Sequence, residues 1–344
     1  MSREWENAEV KSPYLAQPIS VVAVKEVPYV PDGNRLQNLN IYLPRTSKTD
    51  GLVGTALTAL QVLDTPGDHP RWHVHVHGGA WRDPQLSATS IEAAVAHAFA
   101  EGLVEDTWSG PIDAIISINY TLSPFPTHPT LPYNPKISHH SDPAREATHP
   151  AHIQDVLHAF ALLRSLGLTD RSYILSGHSC GACLAFQAAL QPPQHWGLER
   201  VPAIPQPAAL VGLNGLYDLP DLVHGLGDTH ARLQDEYANL LTIAFGAEED
   251  RWPAASPARV DPDELTERLR HGRVPPLVVV DQSSQDQLVP MNQMERMKQQ
   301  LDKVRGLRTV RGNRCVGVHA APWEEGFIIW ESVKDVLKLL AEHI

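Results

Sequence analysis

Two stretches near the start of the chain, 19–30 and 36–43, alternate apolar and polar residues on either side of Pro31-Asp32-Gly33-Asn34. A period of two turns one face of each segment toward a core. The Pro-Asp-Gly-Asn break supplies turn residues, so the pattern predicts an antiparallel hairpin. Beyond it the pattern changes. Short apolar runs at 71–77, 114–118, 173–175, 208–213, 274–280 and 307–310 read as strands. Between them stand segments that read as helices: 91–99, 151–166, 182–190, 291–304 and 324–342. In 151–166 the helical spacing is carried by Ile153, Val156, Leu157, Phe160 and Leu163. A hairpin followed by alternating strand and helix predicts an α/β fold, a mostly parallel twisted sheet with helices on both faces.

Three segments do not fit a minimal sheet, at about 45–68, 122–149 and 218–263. The second holds six prolines (124, 126, 129, 132, 135 and 143) and three histidines before its last residue. A structureless stretch of that length inside a compact domain is usually functional or disordered. The third contains a helix-like Leu233 to Phe245. Both adjoin strands at the sheet's C-terminal edge, where ligands bind in open α/β folds. They are expected to cap a site there. No repeat or clean linker divides the chain, so 1–344 is read as one domain carrying these insertions.

Composition narrows the function. The 344 residues are 42% hydrophobic, enough for a sizeable core, and the formal net charge is −12. That balance argues against nucleic acid, which requires clustered Lys and Arg. No apolar run approaches a membrane span, and the start lacks a basic region followed by an apolar one. A cytoplasmic enzyme acting on a small molecule is the expectation; a homodimer stays open. The three cysteines form no disulfide framework, and Cys180 and Cys183 read as packing residues. The sequon at Asn119-Tyr120-Thr121 is read as unused.

The chemistry gathers around Gly177-His178-Ser179-Cys180-Gly181, which follows the apolar Tyr173-Ile174-Leu175 and precedes a small-residue helix. Strand, G-x-S-x-G and helix form a nucleophile elbow, with the serine at a sharp turn that needs glycine on both sides. A serine hydroxyl needs a base, and the base an orienting acid. The candidate acid is Asp286, in a loop after a buried strand. The candidate base is His319, in the loop between the last strand and the last helix. Asp281 is read as pointing into structure and Asp218 as one strand too early. His271 stands at the wrong end of the sheet and His343 at the chain end.

The oxyanion of a carbonyl addition needs preorganised donors. The N–H of Cys180 is one, and Gly78 and Gly79, in His77-Gly78-Gly79-Ala80-Trp81, offer the other. His77 is read as an anchor for this glycine loop and Tyr120 as its buttress. Trp81 either walls the pocket or packs on the sheet. Arg82 is read as a solvated cation in preference to a partner for a substrate carboxylate. His178 is read as a strand-end side chain rather than a second base. His73, His75 and His77 share a strand face, but that strand should be buried with no carboxylate nearby, so no metal ligands and no cofactor are assigned.

The His77–Trp81 loop together with the Gly177–Gly181 elbow resembles the esterase/lipase-type α/β-hydrolases. More narrowly the chain resembles the kynurenine formamidases (arylformamidases) of the fungal kind. The likeness extends through Ala182 and takes in Asn119-Tyr120, 149–156 and 215–219. It covers roughly 18–344, apart from the insertions. It implies an α/β-hydrolase fold and hydrolysis of N-formyl-L-kynurenine to L-kynurenine and formate in tryptophan degradation, by a Ser179–Asp286–His319 triad through a formyl-enzyme. A carboxylesterase on small acyl esters shares every motif and stays open. A catalytically silent binding protein and a zinc hydrolase are further alternatives, the first set against three intact triad positions, the second resting on the histidine strand alone.

Overall fold

The computed structural model describes residues 3–58, 70–104 and 107–342. Nine strands form one sheet: β1 (Glu6–Val10), β2 (Ile19–Pro28), β3 (Asn38–Pro44), β4 (Trp72–Val76), β5 (Ala114–Ile118), β6 (Tyr173–His178), β7 (Ala209–Leu213), β8 (Leu277–Asp281) and β9 (Arg308–Arg311). Their spatial order is β1-β2-β3-β5-β4-β6-β7-β8-β9. The pairs β1/β2, β2/β3 and β3/β5 are antiparallel, and the five pairs from β5 to β9 are parallel. The expected α/β sheet is therefore present, with its hairpin extended by one strand.

Successive residues of each strand feed opposite cores, as a pleat requires. Val22, Val74, Ile116, Leu175 and Val278 face one side, while Val21, Ile115, Ile174, Val211 and Val279 face the other. Helices α1 (Glu92–Gly102), α2 (Ala151–Ser165) and α3 (Cys180–Leu190) come first in the chain. Then follow α4 (Leu219–His224), α5 (Gln234–Phe245), α6 (Pro262–Arg270), α7 (Asn292–Leu301), α8 (Ala321–Glu325) and α9 (Phe327–Ala341). The first core takes α2, α3 and α7; the second takes α1 and α9. Among the described residues no helix is long and apolar enough to cross a membrane.

Three boundaries differ from the sequence pattern for physical reasons. Strand β1 has mostly exposed side chains and no alternation to reveal it; its pairing with β2 defines it. Strand β8 starts at Leu277, not Val274, because Pro275 and Pro276 have no N–H for the ladder. The expected helix 324–342 is two helices, broken at Gly326, whose φ is +77°. A Cβ there would run into the Ala93–Ala94 backbone of α1, so glycine lets the two chains meet.

Of the 45–68 segment, Ser47–Asp50 forms one helical turn capped by Thr46, and 59–68 lie outside the described residues, as does His343. The 122–149 segment carries one 3-10 turn, Pro143–Arg145, and is otherwise held by side-chain ties. It is bound by Arg35 to Asp142 (2.6 Å), by Arg145 to the Leu131 carbonyl (2.7 Å) and by Tyr133 to Glu146.

Candidate active site

All parallel strands end at one edge, so the loops after β4, β6, β8 and β9 meet there. The loop after β6 is the elbow. Ser179 has φ +56° and ψ −126°, a conformation that non-glycine residues hold only when the surroundings impose it. Its N–H donates to the Leu213 carbonyl (3.0 Å), and its own carbonyl accepts from Ala182 (3.0 Å) and Leu216 (3.3 Å). Close packing dictates the flanking glycines. A Cβ on Gly177 would collide with the Gly181–Ala182 backbone, and one on Gly181 with the carbonyl oxygens of Val76 and His77.

The loop after β4 bends through three consecutive positive φ values, at Gly79 (+102°), Ala80 (+50°) and Trp81 (+57°). It is held from beneath. The Tyr120 hydroxyl lies 3.0 Å from the carbonyls of both His77 and Gly78, and the His77 ring stacks on Tyr120 at 4.6 Å. His77 Nδ1 donates to the Gly78 carbonyl (2.8 Å). The Trp81 N–H points at the Cys180 sulfur (3.2 Å). Among the described residues the N–H groups of Gly78, Gly79 and Cys180 engage no protein acceptor. Burial pushes the Cys180 thiol up to about 11, so it stays protonated and packs.

The loop after β8 carries Asp286. Its Oδ2 accepts from His319 Nδ1 (2.7 Å) and Gln282 Nε2 (2.9 Å), and its Oδ1 from the N–H groups of Leu288 and Val289 (both 2.9 Å). Burial, the largest single influence, pushes its pKa up. The hydrogen bond and charge of His319 and the two loop N–H groups together outweigh burial and hold the carboxyl below its ordinary value.

The loop after β9 carries His319, fixed at its backbone. Its N–H donates to Gln287 Oε1 (2.9 Å), and its carbonyl accepts from His178 Nε2 (2.9 Å) and Asn214 Nδ2 (3.3 Å). Asn214 also accepts from the Ser283 N–H (2.9 Å), joining the two loops. The sequence pattern marked none of Asn214, Gln282 and Gln287. The only signal was that Asn214 and Gln282 directly follow strand ends and Gln287 follows Asp286; Asn214 takes φ +45°. His178 is buried and pushed down to about 3 by desolvation, and it holds the His319 backbone.

Ser179, His319 and Gly79 line one cavity of about 290 Å³. Its other walls are Phe125 from the 122–149 segment, Leu233, Glu236, Tyr237 and Leu240 from the 218–263 segment, and Leu288, Val289 and Trp323. A larger cavity, about 610 Å³, lies beside Asp170, Pro207 and Arg273. Those residues precede β6, β7 and β8, so it opens at the opposite sheet edge, away from the serine.

The remaining candidates fall elsewhere. Trp81 is wholly buried, edge-on to Phe245 at 4.9 Å, and packs behind the loop. Arg82 is not the solvated cation expected. It is 3% exposed, bound to Glu236 and Asn239 of α5, with its guanidinium 4.0 Å from the Phe125 ring centre. The 218–263 and 122–149 segments fold over it and leave it buried. Asp281 accepts from the N–H groups of Arg314 (2.7 Å) and Cys315 (3.0 Å). Asp218 caps α4 and pairs with Arg259. His271 pairs with Glu267 on the surface. His73 and His75 both meet Ser176 Oγ, at 2.6 and 2.8 Å. The Asn119 amide is tied to Ala88 and Asn38.

No family model matches the sequence. Solved structures match over nearly all of the chain and support the fold. An esterase B of Lactobacillus rhamnosis aligns with a TM-score of 0.60 at 14% identity, over 94% of this chain and 88% of its own. A hyperthermophilic esterase of Pyrobaculum calidifontis aligns with a TM-score of 0.52 at 18% identity, over 98% and 84%. Sequence relatives are narrower. A kynurenine formamidase-like hydrolase of Fusarium equiseti is 33% identical over 235 residues, 67% of this chain and 68% of the relative. A kynurenine formamidase of Aspergillus versicolor is 30% identical over 271 residues, 73% of this chain and 85% of the relative. With its fold and these relatives together, the chain belongs to the kynurenine formamidase family of esterase-like α/β-hydrolases.

Proposed function

We propose that this protein is a serine hydrolase that cleaves N-formyl-L-kynurenine to L-kynurenine and formate, a step of tryptophan degradation. The observation that carries the reading is the His319–Asp286 hydrogen bond at the rim of the cavity that Ser179 lines. It is the base–acid half of the arrangement that an activated serine needs, and the base lines the same cavity as the serine. The family membership supports the formamide as substrate.

In this mechanism His319 Nε2 takes the Ser179 proton as Oγ attacks the formyl carbon. Asp286 holds the imidazole in the Nδ1–H tautomer and favours its cation. The carbonyl oxygen becomes an oxyanion facing the N–H groups of Cys180 and of Gly78 or Gly79, which carry no competing acceptor. The C–N bond breaks as His319 returns the proton to the aryl amine nitrogen, leaving a formyl ester on Ser179. A water, deprotonated by His319, attacks that ester. Formate leaves, and the proton returns to Ser179. A formyl group has no side chain, so a small acyl pocket suffices. The insertions at 122–149 and 218–263 serve as the cap that closes over the aryl amine.

Incubation of the purified protein with N-formyl-L-kynurenine, beside a short-chain aryl ester and the Ser179→Ala variant, tests this. Preferential formamide turnover that Ser179→Ala abolishes is expected. Ester cleavage alone would make the protein a carboxylesterase and sink the substrate assignment.

A further inference from the structure

We propose that Arg82 is the recognition group for a carboxylate on the substrate's leaving-group side, and that Glu236 occupies its place in the free protein. The inference deepens the formamidase reading and rests on it for the identity of the leaving group.

Arg82 lines the same cavity as Ser179, yet it is almost wholly buried. A buried guanidinium needs carboxylate and hydrogen-bond partners. Glu236 meets Nη2, Asn239 meets Nη1 at 3.2 Å, and Nε–H is buried with no partner among the described residues. The fork is therefore only partly used. A carboxylate matches that fork in a bidentate way.

Glu236 is the unequal member of the pair. Its side chain is 52% exposed against 3% for Arg82, and it too lines the cavity. Half solvated already, Glu236 gains hydration when it swings out to water and is left with no buried charge to satisfy. An incoming carboxylate would thus replace one anion by another on a cation that folding has already desolvated. No new charge is left unpaired in the exchange. The phenyl ring of Phe125 against the guanidinium plane leaves the edge of the fork for such a partner and offers an aromatic wall beside it. A neutral substrate gains nothing from displacing Glu236, so the pair would select amino-acid leaving groups.

The test uses two substrate pairs that differ only in the carboxylate. One pair is N-formyl-L-kynurenine and its decarboxylated analogue; the other is O-acetyl-L-tyrosine and O-acetyltyramine. The readout is the ratio of kcat/KM within each pair, for the native protein, Arg82→Gln, Arg82→Lys and Glu236→Gln. Arg82→Gln should lower the carboxylate preference about 10- to 100-fold, the range for a charge-assisted hydrogen bond, chiefly through KM. Arg82→Lys should restore part of it, and Glu236→Gln, which frees the guanidinium, should raise it. If Arg82→Gln slows both members of a pair by the same factor, Arg82 is only a latch between the glycine loop and α5, and the proposal is wrong. Failure of the formamidase reading looks different: the native protein would leave both formamides intact while the ester pair still responded to Arg82. A melting curve for each variant separates loss of fold from loss of recognition.

Discussion

At the scale of single residues, the site is a set of loop side chains held by other side chains. Asp286 accepts four hydrogen bonds, one of them from His319. Replacing it with Asn keeps the shape but offers an amide where Nδ1–H needs a carboxylate. The imidazole then loses both its tautomer and the stabilisation of its cation. Asp286→Asn should lower kcat on the order of 10³- to 10⁴-fold with little change in KM, as steady-state kinetics on N-formyl-L-kynurenine would reveal. A tenfold loss or less would mean that Asp286 does not orient the base. That Ser179, Asp286, His319 and the glycines stand at one sheet edge was legible in the sequence, because each sits in a motif or loop at a set place past a strand end. Arg82 was not: a basic residue beside a loop reads as solvated until the segments that cover it are in place. Asn214, Gln282 and Gln287 were invisible for a related reason, since an amide past a strand has no pattern of its own.

At the scale of elements, the loop from 312 to 320 presents His319, and Asp281 at the end of β8 holds it. The Asp281 carboxylate receives the Arg314 and Cys315 N–H groups, while burial pushes its pKa up. Removing it leaves two N–H groups of a half-buried loop without a partner, a loss of about 1–3 kcal/mol. Asp281→Ala should therefore lower the unfolding free energy by roughly that amount and reduce kcat by loosening His319, measured by urea denaturation and by turnover. Unchanged stability would show that water replaces the carboxylate freely. The strands and most helices were readable from periodicity, because burial on both faces enforces apolar runs. What periodicity missed was set by single backbone features. Two prolines start β8 late, a positive-φ glycine splits the last helix, and a partner strand recruits the polar β1.

At the scale of the molecule, desolvation holds six histidines of the described residues neutral, five of them buried and His149 half-buried. Desolvation pushes His73, His152 and His178 down to about 3, His77 and His149 to about 4, and His75 well below its usual value. In the unfolded chain each titrates near 6.5. Below that pH the unfolded state binds protons that the native state refuses, so stability is full above pH 6.5 and falls as the pH drops toward 4. Each such histidine removes up to about 1.4 kcal/mol per pH unit across that window. Asp155 and Asp281, whose carboxyls burial raises, act in the opposite sense but are two groups against six. The histidines therefore decide the outcome between pH 6.5 and 5. Urea midpoints should drop between pH 7.5 and 5.5, and the drop should shrink in His152→Gln, which removes one buried imidazole. His152 meets Ser123 Oγ at 2.9 Å, and a glutamine amide can still meet that hydroxyl, so the variant tests titration more than packing. Equal midpoints at the two pH values would mean that these imidazoles protonate inside the fold, and that the six rings do not set its acid limit.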